Sequence, residues 1–190
     1  MRKSVYVTAM VLTAISLTAC GGGKGPDNGS SGTVAESTQA VTVDLEKVHQ
    51  AVKEAYGENY IPSAPYDAQA LNDIFGVPED LYEEFIAEGP MISVHVDTFV
   101  AVKAKEGKGE EVEQHLKDYR DSQLNDAVQY PMNLPKIEAS EVVRHGDYVF
   151  FVMLGTPSAE AEAQGEEAAL QSAQEENKKA VDAINAFFEG

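Results

Sequence analysis

At 190 residues the chain has room for one domain and an N-terminal extension, and its 32 acidic against 14 basic residues give a formal charge of −18. Such a charge repels phosphate backbones and excludes nucleic acid as an expected partner. Cys20 is the single cysteine, so the chain has no internal disulfide and no sulfur-ligated metal site.

The first element in chain order is a leader. Arg2 and Lys3 precede a mostly apolar run from Val5 to Leu17. That run of about 13 residues is shorter than the ~20 needed to cross a bilayer and fits the core of a secretory signal. Leu17-Thr18-Ala19-Cys20, followed by Gly21-Gly22-Gly23, is the lipobox pattern at which bacteria cut before a cysteine and attach lipid to it. Residues 1–19 are therefore read as a lipoprotein signal peptide and Cys20 as the lipidated first residue of the mature chain. A diacylglyceryl group supplies two chains, enough for durable anchoring at about 0.8 kcal/mol per buried CH₂. The expected location is the outer face of the cytoplasmic membrane. Residues 20–40 are rich in Gly, Ser and Thr and read as a flexible linker, because they cannot bury enough surface to offset their ordering entropy. Residues 41–190 are expected to form one domain.

Asp44 is placed as a helix N-cap, with Val43 and Val48 at hydrophobic-staple spacing, and Gly57 as the stop. Asp67 caps a second short helix that ends at Gly76. Pro78 is expected to open a third, with Leu81, Phe85 and Ile86 inward and Gly89 closing it. Between the first two helices, Asn59 to Tyr66 holds two prolines and two tyrosines and reads as a stiff, extended, packed connection. Tyr130 to Pro135 reads as a second segment of that kind. Met91 to Ala104 alternates apolar and polar residues and predicts a strand. A helix is expected from Lys108 to Gln129. Ile137 to Arg144 predicts a second strand, His145-Gly146 a two-residue turn, and Tyr148 to Leu154 a third strand, apolar on both faces and so central. Ser158 to Phe188 predicts a final helix.

The expected fold class is α+β, with N-terminal short helices followed by a β-α-β-β-α unit carrying a small three-stranded mixed sheet. The last strand is expected between the first two. The long helix and the last helix are expected on one face, and the early helices on part of the other.

Ser93, His95 and Asp97 fall on one face of the first predicted strand and form the candidate binding face. They name the side chains of a hydrolytic triad. Neighbours two apart on a strand point the same way at about 6.6–6.8 Å and do not converge as a triad must. His95 and Asp97 could hold a metal only with a third ligand such as Glu141 or Asp147. The simplest role for them is a polar, hydrogen-bonded pair. Tyr60, Tyr66, Tyr130 and Asn133 are the candidate binding-loop residues, since loops on a scaffold often carry sites. His49, His115 and His145 read as structural or exposed. No catalytic residue, metal or cofactor is assigned.

Gly57-Glu58-Asn59-Tyr60-Ile61-Pro62, Ile92 to Phe99 and Gly146 to Val152, taken with the lipobox, resemble a family of Gram-positive extracytoplasmic lipoproteins known only as domain of unknown function 4358. The resemblance covers about Val41 to Phe188. It implies location and a shared fold but supplies no activity. The expected function is a lipid-anchored, non-catalytic binding or accessory module; the alternative is a small hydrolase or metal-dependent enzyme using the His95/Asp97 face.

Overall fold

A computed structural model describes residues 42–125 and 128–189. The leader, Cys20 and the linker lie outside them. The elements are α1 Leu45–Tyr56, β1 Ala64–Pro65, α2 Ala68–Phe75, β2 Tyr82–Gly89, β3 Thr98–Ala104, α3 Gly109–Asn125, α4 Leu134–Ala139, β4 Glu141–His145, β5 Tyr148–Met153, α5 Ala159–Gln164 and α6 Glu166–Asn185.

The expected caps form. Asp44 Oδ1 accepts from the backbone N–H of Glu46 at 3.0 Å, and Asp67 Oδ1 from that of Ala70 at 2.9 Å. Each satisfies an amide that the first helical turn leaves without an internal partner.

The class is α+β, but the sheet is not the three-stranded mixed one expected. Five strands run in the order β1-β2-β3-β5-β4, and every neighbouring pair is antiparallel. Two strands were hidden by composition. Residues 82–89, Tyr-Glu-Glu-Phe-Ile-Ala-Glu-Gly, favour a helix by intrinsic propensity. Tertiary pairing overrides that preference, because β2 runs the length of β3 with Phe85 opposite Val102 and Glu88 opposite Phe99. Pro78 opens a turn instead, closed by Leu81 N–H to Pro78 C=O at 3.1 Å. β1 is two residues of the proline-rich connection, paired with Gly89 and Glu88. A side chain at Gly89 would collide with the Tyr66 hydroxyl and ring, so glycine lets the tyrosine ring cross the strand.

The first predicted strand is half as long as expected. β3 begins at Thr98, and residues 91–97 form an irregular loop. Neither neighbour continues far enough to pair with them: β2 stops at Gly89, and β5 ends at Met153, opposite Thr98. Alternation without a partner strand does not make a strand. Downstream, Ile137 to Ala139 belong to α4, so β4 starts at Glu141, and Pro131–Asn133 is a 3₁₀ turn rather than extended. The hairpin turn is Gly146-Asp147, with Gly146 at φ 63°, and His145 pairs with Tyr148. The Asp147 carboxylate accepts from the amides of Gly107 at 3.0 Å and Gly109 at 3.1 Å, which fixes this turn to the start of α3. The last predicted helix breaks at Gly165 into α5 and α6.

β5 is buried throughout and separates two cores. On one face α2, α3 and α4 pack Leu71, Phe75, Val112, Leu116 and Ile137 against Val100, Val102, Val149, Phe151 and Met153. On the other, α1 and α6 pack Leu45, Val48, Val52, Ala180 and Ile184 against Phe99, Ala101, Phe150 and Val152. The strand residues alternate between the faces, as period two requires. The long and last helices therefore lie on opposite faces, not together as expected. Tyr56 hydroxyl donates to Glu176 C=O at 2.7 Å and joins α1 to α6. Among the described residues no helix is long and apolar enough to cross a membrane.

Candidate functional site: two loops at one end of the sheet

Loop 91–97 leaves β2 and enters β3; a second loop, described from Val128 to Asn133, joins α3 to α4. Specific polar contacts bind them into one surface. Asn133 is buried, and its side-chain amide donates to Val94 C=O at 2.9 Å. Lys136 on α4 reaches Asp97 at 2.6 Å, with both side chains buried. The second oxygen of Asp97 has no protein partner among the described residues, so Lys136 alone offsets that charge. The α4 end is clamped in turn by Arg120 of α3, which donates to the carbonyls of Ser140 at 2.7 Å and Glu138 at 3.1 Å. His95 N–H closes a turn onto Ile92 C=O at 3.1 Å.

What this scaffold presents outward is apolar. Nine large apolar side chains are exposed among the described residues, and eight of them lie at 91–94 and 124–134. Met91 is 79% exposed, Ile92 and Met132 62% each, and Tyr130 57%. Residues 89–96 and 128–135 carry no Asp, Glu, Lys or Arg in a chain that is 24% charged. Beside the first loop a surface cleft of about 370 Å³ is lined by Tyr66, Met91, Ser93, His95, Tyr119 and Gln123. Tyr119 packs on Phe75 and Phe151, and its hydroxyl is pushed up to about 12, chiefly by burial.

The fold thus brings together Ser93, His95, Asp97, Tyr66, Tyr130 and Asn133, though not on a strand face. Ser93 is exposed, His95 half-buried and Asp97 fully buried in its lysine pair. Asp147 cannot join His95 and Asp97 in a metal site, because its oxygens cap the start of α3 and it adjoins Tyr148, at the opposite end of β5 from Met153. Among the described residues no group of three or more His, Cys, Asp or Glu is placed to hold a metal. Ser93, His95 and Asp97 do not share a strand face, because residues 91–97 form a loop.

Tyr60 belongs elsewhere. Its hydroxyl lies 3.2 Å from His49 Nε2 and donates to Glu88 Oε2 at 3.1 Å; His49 Nε2 is also 3.1 Å from that oxygen. His49 is buried and stacks on Phe99 with ring centres 5.3 Å apart. Burial and the Glu88 charge push the Tyr60 hydroxyl far up, so it stays protonated as the donor. Sequence reading missed this cluster because Glu88 was placed on a helix. The available signal was His49 itself, four residues after Leu45 and adjacent to Val48 on the inner stripe of α1.

No curated protein and no solved structure matches the chain. A family model described as Domain of unknown function (DUF4358) matches residues 55–154. That span holds all five strands and both loops of the apolar end, but only the last two residues of α1 and none of α6. The chain belongs to this family.

Proposed function

We propose that this is a Gram-positive extracytoplasmic lipoprotein, cut before Cys20, held by lipid on the outer face of the cytoplasmic membrane, and acting there as a non-catalytic binding or accessory module. The leader and lipobox support the address. The observation that carries the binding role is the concentration of exposed apolar side chains on two loops braced by Asn133 and Lys136. Scattered exposed apolar residues are ordinary, whereas a contiguous set marks a surface with something to cover it.

Two measurements test the reading. Mass spectrometry of the mature N-terminus should find lipid on Cys20, and Cys20→Ala should release the chain from the membrane fraction. A photocrosslinking residue at position 92 or 132 should give an adduct in intact cells, while one at position 74, exposed on α2, should not. An unmodified Cys20 defeats the address; equal or absent adducts at all three positions defeat the binding surface.

A further inference from the structure

We infer that the partner of the apolar end is the bilayer itself, with the two loops resting at the interface and their side chains among the upper acyl chains; this rests on the anchoring proposed above. The exposed set is Met91, Ile92, Val128, Met132 and Leu134, with Tyr130 as the one large side chain bearing a polar tip. This is the composition of an interfacial contact, where aliphatic groups enter the acyl region and an aromatic ring sits at headgroup level. A protein interface of similar apolarity is ordinarily edged with polar and charged groups. Here the eight-residue runs 89–96 and 128–135 hold none of the chain's 46 charged residues, and Lys136, which follows the second run, is buried on Asp97. The loops are irregular, so their backbone polar groups must stay at the wet interface and only side chains descend, by roughly 5–10 Å.

A domain this acidic is repelled by an anionic leaflet, and charges within about 8 Å of it matter most at physiological salt. An orientation that presents the runs 89–96 and 128–135 sets no charge from either run against the leaflet. Val43 N–H donates to the Tyr148 hydroxyl at 3.0 Å, at the start of β5, so the tether joins the domain there. The apolar end lies past Met153, at the other end of the same strand. The separation along the ladder is roughly 20 Å at ~3.4 Å per residue. The 22 residues 20–41 can bridge at most on the order of 70 Å, the length of a fully extended chain. The tether is long enough for the far end to turn onto the membrane, and tethering raises the effective concentration enough for a weak contact to be occupied.

The chain has no tryptophan, which makes the test direct. Full-length lipidated chains carrying Ile92→Trp, Met132→Trp or Ile74→Trp are reconstituted into vesicles whose acyl chains bear bromine. The first two should show blue-shifted emission quenched by about half or more, as expected for shallow insertion; Ile74→Trp should keep the emission of an exposed indole. Chains that float with the vesicles but show unquenched emission at positions 92 and 132 overturn the inference and leave the anchoring reading intact. Blue-shifted emission without bromine quenching identifies a second copy or another protein as the cover and also overturns it. Chains that carry no lipid and do not float overturn both readings.

Discussion

Two proline- and tyrosine-rich connections, Asn59 to Tyr66 and Val128 to Pro135, look alike in sequence and end in opposite environments. The first is drawn into the fold. Ser63 N–H donates to Gly89 C=O at 2.9 Å and Tyr66 N–H to Ala87 C=O at 2.8 Å, so the segment becomes a short edge strand. The Tyr60 hydroxyl meets His49 and Glu88, and Tyr66 lies across Gly89. The second is fixed at its base, by Asn133 and Lys136, and turns its large side chains to solvent. Composition is therefore not what decides whether a Tyr/Pro segment packs. Tyr60 is drawn half into the fold where Glu88 and His49 meet its hydroxyl, and the first segment runs beside the strand edge that carries Glu88.

The largest effect that would break this contrast lies beneath the exposed segment. Lys136→Ala leaves Asp97 buried and unpaired, and the expected loss is about 3–5 kcal/mol in denaturant titration. Replacing the pair together, Asp97→Asn with Lys136→Met, should recover much of it. A loss below about 1 kcal/mol for the single variant would mean that the loops are not braced through this pair.

Alkaline pH should come next. Tyr119, beside the exposed loops, is raised from 10 to about 12 by burial, and Tyr56 and Tyr60 are raised further by burial and by nearby carboxylates. A folded-state value above the unfolded one gives stability that is complete below pH ~10 and falls as pH rises toward 12. For Tyr119 alone the loss is on the order of 2–3 kcal/mol. Stability measured from pH 8 to 12 should be flat and then decline above about 10. A decline beginning below pH 9 would point to other groups.

Tyr60→Phe tests what holds the first connection to the fold. It removes the O–H that Glu88 accepts and the contact to His49 while keeping the ring, and should cost about 1–3 kcal/mol. If the variant is as stable as the parent, the polar cluster does not hold the first segment down.

The parts of this molecule readable from sequence were those fixed by local chemistry. Asp44, Asp67, Gly57 and Gly76 delimit α1 and α2 because caps act within one turn. The run from Tyr148 to Met153 declared a strand covered on both faces because it is apolar at every position. What failed depended on neighbours. Glu83, Glu84 and Ala87 speak for a helix until β3 is beside them, and Ile92 and Val94 speak for a strand until it is seen that no strand reaches them. Ser93 and His95, expected on a strand face, and Tyr130 and Asn133, expected on a connection, become neighbours only in the fold, where the Asn133 amide reaches Val94 C=O across 39 residues of chain. The Lys136–Asp97 bond was invisible because its partners are 39 residues apart and both look like surface charges.

The smallest expected effect gives the sharpest comparison. Tyr130→Ser combined with Met132→Ser removes two exposed side chains that support no core, so stability should stay within about 0.5 kcal/mol of the parent. The matching change in the first connection, Tyr60→Ser with Tyr66→Ser, should cost several kcal/mol, since both rings are packed and one hydroxyl is bonded. If the Tyr130/Met132 pair proved equally costly, those side chains would be structural and the apolar end would need no partner. Should stability hold while crosslinking at position 92 is lost, the second segment is retained for contact, and the two look-alike connections divide cleanly into one that holds the fold and one that the fold holds out.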